Sequence, residues 1–278
     1  MTFRGRFAPS PTGPLHFGSL VAALASYLDG KAVGAEWLVR MEDVDAPRTV
    51  PGAADAILRS LEAHGFEWDG PVMVQSQRLD AYQDALARLE PAVYPCGCSR
   101  RDVAGRYPGT CRTGLPEGRR ARAIRLRVPD DRPIRFHDRL RGSISESLDQ
   151  TCGDFVLLRA DGIFAYQLAV VADDASQGIT DIVRGADLLD STARQVYLYE
   201  LLNAQPIPRY LHIPVVVDAK GEKLSKQTGA LALDDAKASH SLWQALDFLK
   251  QSPPEELSAA PPRTLLRWGI ENWNWSAL

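Results

Sequence analysis

The chain has 278 residues, 45% of them hydrophobic and 24% charged, enough to bury a core in one large domain or two modest ones, so a soluble globular protein is expected. A formal net charge of −3 argues against a protein that coats nucleic acid through bulk charge, although arginines concentrate between Arg119 and Arg141 and leave room for a local basic face. No basic segment followed by an apolar one opens the chain, and the longest early apolar run, Leu20 to Leu28, is too short to span a bilayer. A cytoplasmic location without membrane contact is the expectation.

In chain order, "RGRFAPS" and "EWLVRME" read as strands, and "LHFGSLVAALASYLDG" between them as a helix, with Gly30 placed to end it. "VPGAADAILRSLEAHG" repeats the arrangement, with Pro51 near its start and Gly65 at its end. Strands alternating with helices imply a parallel sheet. From about Tyr94 the texture changes to Cys, Gly, Pro and Arg, followed by "ARAIRLRV" and "IRFHDRLRGSISES". In the first of these, Ile124, Leu126 and Val128 alternate with Arg125 and Arg127, as in a strand with one wet face.

The α/β texture returns with "IFAYQLAVVADDA", "GITDIVRGADLL", the helix-like "STARQVYLYELLNA" and the strand-like "LHIPVVV". This predicts one parallel sheet split by an inserted module. The expected divisions are 1–93 for the first half of the sheet domain, 94–160 for the insertion, 161–228 for the second half, and 229–278 for a short helical tail interrupted by Pro253-Pro254 and Pro261-Pro262.

Of four cysteines, Cys96, Cys98 and Cys111 crowd into sixteen positions, which points to a metal rather than to disulfides. Three thiols suit a tetrahedral zinc site lacking one ligand, and a water, His137, Asp102 and Tyr107 are all open for the fourth position. Cys152 reads as an ordinary buried thiol.

Two short pieces carry nucleotide chemistry. In "PSPTGPLHFGSL", His16 and Gly18 stand where a helix begins. Free N–H groups there favour phosphate, and a glycine lets a nucleotide approach the backbone closely. Taken alone, such a His is more often a cap or a packing residue. Far along the chain, Lys223-Leu224-Ser225-Lys226-Gln227 forms a lysine-bearing loop after a predicted strand, which alone reads as a solvated basic loop. Together the two pieces resemble the paired signatures of class I aminoacyl-tRNA synthetases. "RFAPSPTG", "RMEDVDAPR", "YQLAVVADD" and "DIVRGADLL" are similar to the glutamyl branch of that class, and the resemblance covers nearly the whole chain.

That resemblance implies an α/β fold of the class I, Rossmann type, and it implies roles. ATP, with Mg2+, would meet His16, Gly18, Ser19, Lys223, Ser225 and Lys226, with His16 and Lys226 as the catalytic pair. L-glutamate would meet Arg6, Phe7, Ala8, Pro9, Ser10, Glu42, Tyr166 and Arg184. Arg6 and Arg184 would clamp carboxylates, Glu42 would answer the ammonium, and Tyr166 would offer a hydroxyl and an aromatic wall. Asp43, Asp45 and Arg48 would support them from behind. The pattern Tyr107-Pro108-Gly109-Thr110-Cys111 implies Tyr107 as the fourth ligand of one structural zinc per chain. The full class signature ends in a second histidine, and this chain has Ser19 there.

Short length, no separate anticodon-reading domain and the His-Phe-Gly-Ser variant match short paralogues of the catalytic half of glutamyl-tRNA synthetase. They imply a monomer that activates glutamate without tRNA and passes it to queuosine in the anticodon arm of tRNA(Asp). The rivals are a truncated glutamyl-tRNA synthetase charging tRNA(Glu), a small-molecule nucleotidylyltransferase, and a non-catalytic RNA-binding paralogue.

Overall fold

The computed structural model describes residues 3–103, 105–217 and 231–278. Its elements run β1 (Arg4–Phe7), α1 (Phe17–Lys31), β2 (Glu36–Met41), α2 (Ala53–Ala63), β3 (Met73–Val74), α3 (Leu79–Arg88), β4 (Val93–Cys96), β5 (Ala123–Leu126), β6 (Ile134–Asp138), β7 (Gly142–Glu146), α4 (Leu148–Thr151), β8 (Phe155–Leu158), α5 (Tyr166–Ser176), β9 (Asp181–Gly185), α6 (Leu189–Leu201), β10 (Arg209–Ile213), α7 (Ala238–Phe248) and α8 (Pro262–Asn272).

Strands β1, β2 and β3 form one parallel sheet, and β9, β10 and β6 form a second, with β7 added antiparallel at its edge. The two meet where the Thr180 N–H donates to Arg4 O at 3.0 Å while Thr180 O accepts from Arg209 N–H at 2.9 Å. Helix α1 covers this seam. It buries Leu20, Val21, Leu24 and Leu28 together with Ala23 and Ala25, and a helix that is apolar nearly all round belongs inside a core. Gly30 lies within α1 rather than ending it: Lys31 is the last helical residue and Ala32 the cap. Gly65, with φ +79°, does follow α2 in the left-handed conformation that glycine adopts without strain.

The expected tail is part of this core. Leu242, Leu246, Leu249, Leu265 and Leu266 share one apolar cluster with Leu20, Leu24 and Leu28. A Cβ on Gly269 would come within 3.0 Å of Leu28 Cδ2, so a residue without a side chain lets α8 approach α1 closely.

Strands β4, β5 and β8 make a separate antiparallel sheet. The insertion expected over 94–160 is not one continuous piece, however, because β6 and β7 belong to the parallel sheet beside β10. In β6, Ile134 and Asp138 are buried while Arg135 and His137 are exposed, and such alternation suits a half-wet strand in either sheet. Cys152 is half-buried rather than buried.

Candidate active site

The carboxyl ends of β1, β2, β9 and β10 open onto a cleft of about 600 Å³, the crevice where parallel sheets of this kind bind ligands. Arg6, Phe7, Ala8, Pro9 and Ser10 line it from the end of β1, and His16, Gly18 and Ser19 from the head of α1. Glu42 faces it after β2, Tyr166 from the first turn of α5, and Arg184 from β9. Segments more than 170 positions apart in sequence thus meet in one cavity. Lys223, Ser225 and Lys226 lie outside the described residues.

His16 is the N-cap of α1, its Nδ1 accepting the Ser19 N–H at 3.3 Å. The capping reading and the cleft reading both hold, since the same residue lines the cavity. With Nδ1 accepting, the neutral ring carries its proton on Nε2. One of the helix's amino-terminal N–H groups is thereby occupied.

The β1 side of the cleft is a buried ion network. Arg6 donates from Nε and Nη2 to Asp174 at 3.1 and 3.3 Å. Arg40, fully buried, pairs with Asp174 at 2.8 Å and with Glu42 at 3.2 Å and donates to Gln177 Oε1 at 2.7 Å. Next to it, Asp173 accepts from Gln75 Nε2 (2.8 Å), Arg78 Nε (2.6 Å) and Tyr82 Oη (2.8 Å). Burial pushes the Asp174 carboxyl up, but the guanidiniums of Arg40 and Arg6 outweigh it and hold the group below the usual aspartate range. For Glu42 burial wins over Arg40 and Arg6, and its carboxyl is raised. Sequence reasoning assigned no role to Arg40, Asp173 or Asp174. A signal was there: two adjacent acids end the apolar run of "YQLAVVADD", and carboxylates on a buried helix require cations.

Arg184 is held differently. Its Nε donates to His212 Nε2 at 3.0 Å, Nη1 to Gln195 Oε1 at 2.8 Å and Tyr166 Oη at 3.5 Å, and Nη2 to Thr192 Oγ1 at 2.9 Å and Leu188 O at 3.3 Å. Every partner is neutral, and among the described residues this guanidinium, 4% exposed, has no carboxylate within ion-pair distance. Its two longest contacts are to Tyr166 and Leu188, both of which line the cleft. A ligand carboxylate would compete at that edge. Burial raises the Tyr166 hydroxyl, while Arg184 partly opposes it.

The residues expected to support the site from behind do not line the cleft. Asp43 accepts from Ser76 N and Oγ at 2.8 and 2.7 Å, and Asp45 bridges Arg48 and Arg159 at 2.8 and 2.9 Å.

The cysteine cluster lies at the end of β4. The sulfurs of Cys96, Cys98 and Cys111 all fall within 4.8 Å of one another and are buried, with Cys98 and Cys111 at 3.8 Å. Tyr107 Oη stands 3.4 Å from Cys96 Sγ and 3.9 Å from Cys98 Sγ. A tetrahedral metal with metal–sulfur bonds of about 2.3 Å has sulfur–sulfur edges of roughly 3.8 Å, so these four donors have the spacing of such a site. His137 sits on β6 with Ser143 as its partner, and Asp102 is engaged by Ser99 and Arg119; neither joins the thiols.

Burial pushes the Cys96 thiol up, but the Tyr107 hydroxyl, the Cys98 N–H and the Arg125 guanidinium bring it down to about 7. Arg125 stacks 3.9 Å from the Tyr107 ring centroid and donates to Cys96 Sγ at 3.3 Å and Asp154 O at 2.6 Å. It is therefore not the plain solvated residue its alternating pattern allows. Arg119, Arg132 and Arg139 are likewise paired, with Asp102, Glu200 and Asp29.

Comparison with known proteins shows the family. The family model for the catalytic domain of class I tRNA synthetases (E and Q) matches residues 2–102 and 110–247. A glutamyl-Q tRNA(Asp) synthetase of Dechloromonas aromatica is 56% identical over 99% of this chain and 95% of its own length. One of Thiobacillus denitrificans is 55% identical over 97% of this chain and 93% of its own. Among solved structures, a glutamate-tRNA synthetase of Elizabethkingia anophelis superposes with a TM-score of 0.81 at 26% identity, over all of this chain and 67% of that one.

Proposed function

Because the chain belongs to the class I tRNA synthetase (E and Q) catalytic-domain family, and to the branch of it whose curated members are named glutamyl-Q tRNA(Asp) synthetase, we propose that it activates L-glutamate with ATP and transfers it to queuosine of tRNA(Asp). The observation that carries the amino-acid half is a buried Arg184 with no carboxylate partner among the described residues, in one cleft with Glu42. An amino acid needs both: a cation for a carboxylate and an anion for the ammonium.

In the first step a glutamate α-carboxylate oxygen bonds to the α-phosphorus of ATP, and the bond from that phosphorus to the bridging oxygen of the β-phosphate breaks, releasing pyrophosphate. In the second, a hydroxyl of the queuosine cyclopentene ring attacks the carbonyl, loses its proton and expels AMP. Neither step needs a protein nucleophile, so catalysis is positioning plus stabilisation of charge on the phosphates. His16, the backbone around Gly18 and Ser19, and the Lys223, Ser225 and Lys226 segment take the nucleotide, which brings Mg2+ with it. Arg184 takes a glutamate carboxylate, and Arg6 adds the Nη1 edge that Asp174 leaves. Glu42 takes the ammonium and Tyr166 closes the wall.

Cys96, Cys98, Cys111 and Tyr107 fit a zinc ion. It would cross-link a module whose own apolar cluster, built on Tyr94, Tyr107 and the three thiols, is small. Metal analysis should find about one zinc per chain, lost in Cys98→Ala.

The test offers labelled glutamate to tRNA(Asp) with and without queuosine. Label is expected only on the queuosine-bearing RNA; label on unmodified tRNA(Asp), or on tRNA(Glu) alone, would overturn the acceptor. Glutamate-dependent exchange of pyrophosphate into ATP is expected with no RNA present, and Lys226→Ala should slow it by roughly 10²- to 10³-fold, the loss typical of one transition-state donor.

A further inference from the structure

Among the described residues, Arg184 is linked to a carboxylate only at second hand. His212 Nε2 receives its Nε–H at 3.0 Å, and His212 Nδ1 meets Asp138 Oδ2 at 2.7 Å; Asp138 and His212 are fully buried. The strand pairing builds this line. His212 stands opposite Arg184 across β9 and β10, and β6 lies on the other side of β10, with Asp138 paired to Tyr210.

Asp138 Oδ2 also accepts the His212 backbone N–H at 3.0 Å, and Oδ1 accepts those of Leu140 and Arg141 at 3.1 and 2.9 Å. A carboxylate so surrounded is an acceptor only, so the proton shared with the imidazole sits on Nδ1 and Nε2 presents its lone pair to Arg184. The Thr192 hydroxyl, 3.2 Å from that same nitrogen, accepts from Arg184 Nη2 and closes the arrangement.

From this geometry we infer that Asp138 and His212 are positioning residues for carboxylate recognition: Asp138 sets the imidazole tautomer, and neutral His212 aims the Arg184 guanidinium at the cleft without neutralising it. The inference rests on the proposed activation of an amino acid. A direct aspartate partner, as Arg6 has, would orient the guanidinium equally well but would compete with the ligand for its charge. An imidazole in between transmits orientation while keeping the carboxylate one ring away, as carboxylates do when they accept from the far nitrogen of a metal-bound histidine.

The test uses Asp138→Asn, His212→Asn and His212→Gln, read by KM in glutamate-dependent pyrophosphate exchange and by glutamate binding in calorimetry. A glutamine amide reaches the place of Nε2 and keeps an acceptor for Arg184, whereas asparagine reaches only the place of Nδ1. In Asp138→Asn the amide donates to Nδ1, which moves the ring proton to Nε2 and turns it against the Arg184 N–H.

Asp138→Asn and His212→Asn are expected to raise KM and Kd for glutamate by roughly 10- to 100-fold with KM for ATP within about twofold, and His212→Gln to recover most of the loss. Equal rises for glutamate and ATP, equal losses in the Gln and Asn variants, or no change in any of the three would overturn the positioning role. If Asp138→Asn does not fold, the two His212 variants decide. Failure of the unaltered chain both to bind glutamate and to exchange would instead overturn the proposed activation.

Discussion

Arg6 at the end of β1 and Arg184 on β9 are each 4% exposed and line the same cleft, yet Arg6 holds Asp174 through two nitrogens while Arg184, among the described residues, donates only to neutral oxygens and an imidazole. On the β1 side Arg6 and Arg40 face Asp174 and Glu42, and the charges balance; on the β9 side one cation stands without an ion partner among the described residues. A paired buried ion mainly holds the fold, because removing its partner strands a charge in low dielectric. An unpaired one oriented by neutral acceptors retains its field for a ligand. Two arginines that the family resemblance gives alike as carboxylate clamps thus differ in what already holds them, an aspartate for Arg6 and neutral groups for Arg184 among the described residues.

The hardest test of that division is Asp174→Asn, which leaves Arg6 and Arg40 without their shared carboxylate. It should cost roughly 3–5 kcal/mol in denaturant unfolding, and a loss below about 1 kcal/mol would mean that the β1 side is not held by its ion pairs. Arg184→Ala should slow glutamate activation by about 10²- to 10³-fold, near 3–4 kcal/mol, with the larger part appearing in glutamate affinity. If Arg6→Ala gave the greater affinity loss, the two roles would be exchanged.

pH separates Asp174 from Glu42 by sign. The Asp174 carboxyl is held low by Arg40 and Arg6, so its contribution to stability is complete above the ordinary aspartate value of about 3.9 and is lost as pH falls through its lower folded value. Glu42 is raised by burial, so its protonation as pH falls through that raised value favours the folded state while removing the anion that an ammonium requires. KM for glutamate should therefore climb on the acid side from above the ordinary glutamate value of about 4.3, with KM for ATP flat. Glu42→Gln should abolish this acid limb and cost less stability at pH 7 than Asp174→Asn, because burial already disfavours the Glu42 charge and Arg40 keeps Asp174 as its partner. Smallest of all, Arg48→Ala, whose pair with Asp45 is exposed outside the cleft, should cost at most about 0.5 kcal/mol and leave KM untouched.

Much of the site was legible in advance because it is built from contiguous motifs. Arg6 to Ser10 and His16 to Ser19 sit on one strand end and one helix start, so short spacing in sequence is short distance in space. The three thiols were legible for the same reason, all within sixteen positions, whereas spacing left the fourth ligand open and only the family resemblance pointed to Tyr107. Asp138 and His212 were not. Their contact joins positions 74 apart through a register between β6 and β10, and a histidine followed by Ile213 and Pro214 near a strand end carries no local mark of its partner. The placement of β6 and β7 was missed on related grounds, since an alternating strand does not name the sheet it will join.

Periodicity, breaker residues and motif order are properties of short segments, and by itself the sequence determined what short segments decide: an α/β chain, a helix α1 apolar enough to be central, a thiol cluster, and motifs whose family resemblance points to residues that line one cleft. The tertiary structure alone decided which charges are cancelled. Whether a buried arginine meets an aspartate or an imidazole depends on which strands lie side by side. At 3 Å in low dielectric, that single neighbour decides whether the charge is consumed by the fold or left for a ligand.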